Sequence, residues 1–269
     1  MTEPAIHHDR SRRQSVLVTG GARRIGRAVA LGFAARGWDV AVHHHESKRE
    51  AQEVVEQIAT RGGRAISLCA DLSNEEKVRQ LVPACVKAFG RLDCVLNCAS
   101  RFEEDTAQTF TYHLLLKLME INVAAPVALA RALFDAIPDC AIADELHRGV
   151  VVNVLDQKLY NMNPDYLSYT LTKAALANAT IALAQALAPK VRVVGLAPGL
   201  TLVSGDQTQE QFEMAHRMTP LRRGSRLQDI VDAAIYLAEA SGVTGTTLVV
   251  DGGQHLASSQ RDVMFTRFE

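Results

Sequence analysis

Tyr169 and Lys173 stand four residues apart in a stretch rich in alanine and leucine, a spacing that puts both side chains on one face of a helix. A free phenol titrates at about 10 and exchanges protons poorly at neutral pH. An ammonium one turn away stabilises the phenolate and lowers that value, so the pair suits a general acid. The same spacing also fits an ordinary Tyr–Lys pair on a helix surface. A second chemistry lies near the start of the chain, in residues 15–30, SVLVTGGARRIGRAVA. There a β-branched run meets a glycine pair and turns into a helical pattern. Such a turn aims backbone N–H groups and the positive end of the helix at one point, as a bound phosphate requires. Gly20 and Gly21 permit the turn, and Gly26 lets helix and strand approach closely. Where the usual dinucleotide fingerprint has a further glycine this chain has Arg24, a fixed cation beside the phosphates or the substrate.

The elements that must position these groups follow from periodicity. The first helix runs to near Gly37, and residues 39–42 read as a second strand, followed by a loop holding His43, His44, His45, Glu46 and Ser47. A nucleotide's ribose belongs at that strand end. NAD sites place an acidic residue there, whereas a 2′-phosphate needs donors and positive charge. His43, His45 and Ser47, with Arg24 nearby, favour NADP, and Glu46 argues the other way. Consecutive loop histidines rarely converge on one ion, and no partner stands at ligand spacing, so no metal site is expected.

A helix over 50–59 stops at Arg61-Gly62-Gly63, and a third strand covers 65–69. In Asp71-Leu72-Ser73, Asp71 suits either an adenine amino group or a plain turn, and Ser73 with Glu76 reads as a capping box for a helix through Phe89. The fourth strand, 94–96, ends in Asn97-Cys98-Ala99-Ser100. Then come a helix over 114–134 carrying Asn122 among apolar neighbours, a strand over 150–155, a long helix over 168–187 and a strand over 191–196. Pro198-Gly199 breaks the chain, the polar stretch 203–218 reads as a mobile lid, and a helix over 228–238, a strand over 247–250 and the turn 251–253 close the pattern. Such alternation, with near-continuous apolar strands, calls for a parallel sheet covered by helices on both faces.

At 269 residues the chain suits one domain, 14–269, with its lid at about 201–219, behind a polar, flexible segment, 1–13, that is neither signal peptide nor anchor. His7 and His8 in that segment carry no function in this reading. A net charge of −1 without a basic stripe points away from nucleic acid and membrane surfaces and toward a small-molecule partner. The five cysteines, unpaired by spacing and mostly within apolar runs, read as reduced and buried, in a soluble cytoplasmic protein.

Together, the TGxxxxxG turn, Asn97-Cys98-Ala99, Asn122, Tyr169-xxx-Lys173 and Pro198-Gly199 resemble the short-chain dehydrogenase/reductase family over residues 15–256. The resemblance implies a doubly wound Rossmann fold with a seven-stranded parallel sheet. It implies that Tyr169 donates a proton, that Lys173 binds the nicotinamide ribose and tunes Tyr169, and that Asn122 serves a water relay. It further implies a cofactor lying along Gly20, Arg24, Ile25 and Gly26, then Asp71 and Leu72, Asn97 and Ala99, and finally Pro198 and Gly199. Self-association as a homotetramer through the long helix and the C-terminal segment is also implied.

The family's serine thirteen residues before the tyrosine is Asp156 here, which brings either a charge or, if buried, a second proton donor. With Arg24, the 43–47 cluster and Ser100-Arg101-Phe102, this departure looks like the pteridine reductase branch, including the dihydromonapterin reductases. Cys98 stands where many relatives have a second Asn. That likeness implies Phe102 stacking on a pterin, Ser100 hydrogen-bonding it, Arg24 near phosphate and pterin, and His43 and Ser47 facing the 2′-phosphate. Asp156 and Tyr169 would protonate a ring nitrogen. The expected activity is NADPH-dependent reduction of a dihydropterin. A ketone or 3-oxoacyl reductase is the enzymatic alternative, and an inactive NADP-binding sensor is an alternative of another class.

Overall fold

Seven parallel strands form one sheet in the order β3-β2-β1-β4-β5-β6-β7. They are β1 (Ser15–Thr19), β2 (Asp39–His44), β3 (Ala65–Cys69), β4 (Cys94–Asn97), β5 (Gly149–Val154), β6 (Val191–Pro198) and β7 (Thr247–Val250). A computed structural model of the chain describes residues 13–203, 207–257, 259–262 and 265. The proposed roles for 1–12, including His7 and His8, for 204–206 of the lid, and for much of the C-terminal tail therefore fall outside the described residues.

Strand alternation sorts the core into two layers. Val16, Val18, Val40, Val42 and Leu96 pack with α1 (Arg24–Ala35), α2 (Lys48–Thr60) and α8 (Leu227–Glu239). Leu17, Ala41, Val95, Val151 and Val193 face the other way, onto α3 (Glu75–Phe89), α5 (Ala125–Ala136) and α6 (Leu167–Leu187). Both faces of every central strand are thus buried, which explains their unbroken β-branched runs. Chain direction across the sheet reverses between β1 and β4, so the loops after those strands splay apart and leave a cleft at the carboxyl ends.

Four local expectations are corrected. β2 continues through His43 and His44, which pair with Leu68 and Cys69 of β3, so His43 belongs to a strand instead of a loop. The α3 cap is Asn74, whose side chain accepts from the Lys77 N–H at 3.1 Å, in place of a Ser73–Glu76 box. Of the cysteines, Cys69 and Cys140 are exposed instead of buried. The helix around Asn122 is interrupted: α4 (Tyr112–Met119) passes through a π-helical turn, Glu120–Ala124, into α5. That combined helix is long and apolar enough to cross a membrane by composition, yet it packs on α3, α6 and β4 as a core helix of the sheet. Among the described residues of 201–219 lies one helix, α7 (Gln209–Arg217), started by a Thr208–Gln211 capping box.

Candidate active site

At the β1 end of the cleft the backbone is shaped to meet a phosphate. Gly20 has φ of +65°, and a Cβ there would come within 3.0 Å of Ala99 Cα. A Cβ on Gly26 would lie 2.2 Å from the Gly20 carbonyl oxygen, so only glycine allows this contact. The first turn of α1 has no acidic residue, and Arg23 at its N-cap makes no side-chain cap, which leaves the amino end without a protein anion. Arg24 takes the left-handed conformation, φ +52°, that the missing glycine would adopt without strain. Its Nη1 donates to the Val203 carbonyl at 3.0 Å, linking the glycine loop to the segment after β6.

His43 is buried at 2 % exposure. Its Nδ1 accepts from the Gly20 N–H at 3.1 Å, which leaves Nε2 as the protonated nitrogen, donating to the Ala70 carbonyl at 3.1 Å. Burial pushes the imidazole down to about 4, so it is neutral and both nitrogens are engaged. The expected contact between His43 and a 2′-phosphate is corrected accordingly: His43 holds the glycine loop. The exposed His45 and Arg23, the latter ion-paired to Glu50 of α2, are the basic groups on the cleft wall there. Ser47 lies off that wall, at the start of α2. Asp71 lines the cleft but uses Oδ1 to accept from the Ser73 N–H at 3.0 Å and hydroxyl at 2.8 Å, contacts that hold its carboxyl below the usual range.

Thr19 Oγ1 accepts from the N–H groups of Cys98 and Ala99 at 3.0 and 3.1 Å, fixing the loop after β4. Asn97 points away from the cleft wall. Its Nδ2 donates to Asn153 Oδ1 at 2.8 Å across β4 and β5, and Asn153 passes the chain to Thr180 at 2.9 Å. Asn122, 1 % exposed in the π turn, accepts from the Arg101 N–H at 2.8 Å and from Ser100 Oγ at 3.3 Å. Its Nδ2 donates to the Arg101 carbonyl and to Thr172 Oγ1, both at 3.0 Å. Through these bonds Asn122 fastens the Ser100-Arg101 loop to α6. Single π turns often mark such sites, because the extra residue turns a side chain out of helical register.

At the β5–α6 end the ionisable groups meet. Tyr169 Oη donates to Asp156 Oδ2 at 2.8 Å, and Asp156 Oδ1 accepts from the Lys158 N–H at 2.8 Å. Lys173 Nζ donates to the Val154 carbonyl at 2.7 Å and sits 5.6 Å from the Tyr169 ring centre. Burial lowers the Lys173 ammonium and raises the Asp156 carboxyl. The Tyr169 phenol is raised well above its ordinary value, by burial and then by the Asp156 carboxylate it faces. The expected depression of Tyr169 by Lys173 is thereby reversed, because the carboxylate is hydrogen-bonded to the hydroxyl whereas the ammonium is directed at a strand end.

Phe102, 46 % exposed, stacks on Tyr166 at 4.2 Å between ring centres and meets Tyr169 edge-on at 4.7 Å. Asp105, in the same loop, caps the start of α6 by accepting from the Ser168 N–H at 2.9 Å. Sequence reasoning missed Tyr166, Asp105 and Arg23, and met Thr19 only as part of the TGxxxxxG turn. Only Arg23, adjoining Arg24 in the glycine turn, carried a local signal.

A cavity of about 640 Å³ joins the two ends. Its wall includes Gly20, Arg24, Ile25 and Gly26 on one side and Ser100, Phe102, Asp156 and Tyr169 on the other, with Leu72, Ala99, Lys173, Pro198 and Gly199 between. Such a volume suits a cofactor and a small flat substrate. The glycine cradle, the uncapped α1 and the basic groups at the β2 end fit the diphosphate and 2′-phosphate of NADP.

The chain matches the family described as enoyl-(acyl carrier protein) reductase over residues 20–255. Among solved structures it is similar to the FolM alternative dihydrofolate reductase 1 of Brucella canis, complexed with NADP. The likeness is 39 % identity and a TM-score of 0.86, over 93 % of this chain and 96 % of that one. An oxidoreductase of Mycobacterium tuberculosis, itself uncharacterised, is 37 % identical over 246 residues, covering 88 % of this chain and 90 % of its own. Pteridine reductase 1 of Leishmania tarentolae is 29 % identical over 276 residues, covering 89 % of this chain and 96 % of its own.

Proposed function

Because the chain belongs to the short-chain dehydrogenase/reductase family and is an NADPH-dependent oxidoreductase, we propose that it reduces a dihydropterin to the tetrahydropterin. The observation that carries this reading is the 2.8 Å hydrogen bond between Tyr169 and Asp156 beside the exposed ring of Phe102. NADPH supplies a hydride to the carbon of a C=N bond, and the nitrogen must then take a proton. Tyr169 Oη is the group placed to give it, and Asp156 replaces it along the same hydrogen bond when its carboxyl is protonated. Burial raises both groups, which favours the proton-holding form of each. Lys173 anchors the nicotinamide ribose from the β5 end, Asn122 holds the substrate-facing loop, and Phe102 with Ser100 offers the heterocycle a face and a polar edge.

In this reading 201–219 closes over the substrate, and the enzyme is a cytoplasmic homotetramer joined through α6, where Leu171 and Ile181 are exposed, and the C-terminal segment. Reduction of a carbonyl or enoyl thioester, suggested by the matched family's description, would not need a carboxylate at Asp156. The test follows NADPH oxidation with dihydrobiopterin, dihydromonapterin, dihydrofolate and a 3-oxoacyl thioester. Turnover of a dihydropterin that falls about 100-fold in Asp156→Ser, with NADPH binding unchanged, is the expected result. Turnover confined to the thioester, and indifferent to Asp156→Ser, would refute it.

A further inference from the structure

After β7 the chain turns back across the β5–α6 loop and is fastened there by charged pairs at buried positions. Asp165, 3 % exposed, accepts from Arg261 Nε at 3.0 and 2.9 Å and from the Asp262 N–H at 2.7 Å. Burial alone would raise the Asp165 carboxyl, but these contacts hold it below its usual range. Lys158 Nζ, deeply buried, pairs with Asp262 Oδ2 at 3.3 Å and lies 5.4 Å over the Tyr166 ring, on which Phe265 also stacks at 5.8 Å. The segment is therefore seated at a defined place.

Its consequence for the cleft is direct. Asp262 and Lys158 both line the cavity that holds Phe102, Asp156 and Tyr169. From that wall the Asp262 charge adds to burial in raising Asp156, Tyr169 and Tyr166. A carboxylate with an ammonium 3.3 Å from it, beside an aromatic wall, matches a flat ring whose edge offers N–H and C–NH₂ donors to the carboxylate and a C=O acceptor to the ammonium. A thioester chain has no such edge.

We propose that Asp262 is a specificity-determining residue, held in place by Lys158 and Asp165, whose carboxylate accepts N–H hydrogen bonds from the amide or amidine edge of a heterocyclic substrate. This rests on the dihydropterin reading and adds the group that selects it. The reason to expect selectivity is that a partly buried carboxylate, its side chain 17 % exposed, loses more when a ligand N–H is missing than an apolar wall does.

The experiment measures calorimetric binding of biopterin and of its 2-desamino analogue to the enzyme–NADP⁺ complex, for wild type and Asp262→Ala. Wild type should bind biopterin about tenfold tighter than the analogue, and Asp262→Ala should lose about tenfold on biopterin alone, so that the preference vanishes. NADP⁺ affinity, measured on the same samples, should be unchanged and shows that the variant is folded. An equal loss on both ligands indicates a merely structural clasp and overturns the proposal, as does a preference that survives the substitution or is absent from wild type. Binding is read separately from turnover. A selective Asp262 in an enzyme that reduces no dihydropterin overturns the functional reading alone; turnover with an indifferent Asp262 overturns this one alone.

Discussion

At the β1–β2 end of the cleft, polar side chains hold backbone. Thr19 takes the N–H groups of Cys98 and Ala99, His43 spans Gly20 and Ala70, and Asp71 closes its own turn on Ser73. At the β5–α6 end, side chains hold one another: Tyr169 to Asp156, Lys158 to Asp262, and Arg261 to Asp165. The first end presents fixed dipoles, which suit a ligand whose charge does not change during the reaction. The second presents groups whose protonation can change, which suits the place where a proton must move. Rigidity and proton transfer are thus separated along one cavity.

The comparison breaks first at Tyr169. Tyr169→Phe removes the hydroxyl proposed to give the substrate its proton and leaves Asp156 Oδ2 without the donor seen at 2.8 Å. Turnover should fall by about 10³-fold, while NADPH affinity should change by less than about threefold, since the cofactor end is untouched. Matched losses in turnover and in cofactor affinity would show that the two ends are not separate.

The opposite test is applied at His43, where stability and not catalysis should respond. The imidazole titrates at about 4 in the folded chain instead of the ordinary 6.5, so on acidification the unfolded chain takes up the proton first. Stability present above pH 6.5 is lost as pH falls toward 4, and the single site contributes roughly 3 kcal/mol of that loss. His43→Gln keeps an acceptor for Gly20 and a donor for Ala70 but cannot titrate. Denaturant unfolding from pH 7 to 4.5 should therefore show a shallower decline for the variant. Parallel declines in the two proteins would refute the neutral, loop-holding assignment.

The same division explains what could be read from the chain. Strands and helices were legible because the apolar run Val16-Leu17-Val18 and the glycine turn are local signals, and the bounds of β3 and β7 coincide with the structure. Tyr169 and Lys173 were legible for the same reason, lying within one turn of each other. The roles of His43 and Asn122 were not. His43 depends on β2 running two residues further, through His44, to pair with β3, and Asn122 on a π turn that no residue type announces. Lys158–Asp262 and Asp165–Arg261 span about a hundred positions, so spacing gives no hint of either. The reversal at Tyr169 is of the same kind, since its titration is set by burial and then by the Asp156 carboxylate it faces, neither of which spacing in the sequence reveals.

Arg24 ties the glycine loop to the segment after β6, and the effect expected there is the smallest and the most discriminating. It occupies a left-handed position at φ +52° and reaches Val203 at 3.0 Å. For a side chain bearing a Cβ, that conformation costs about 1–2 kcal/mol, of which glycine's greater unfolded-state freedom would return roughly half. Arg24→Gly should thus stabilise the cofactor-free enzyme by about 0.5–1 kcal/mol, even though it removes a hydrogen bond from an exposed side chain. Affinity for NADPH should fall by about fivefold at low salt, with the difference shrinking as salt screens the lost charge. The two changes must appear together, because a strained residue is retained where the ligand gains what the empty protein loses. A variant that is less stable and binds NADPH as before would leave Arg24 as a structural tie to Val203 and would remove it from the cofactor site.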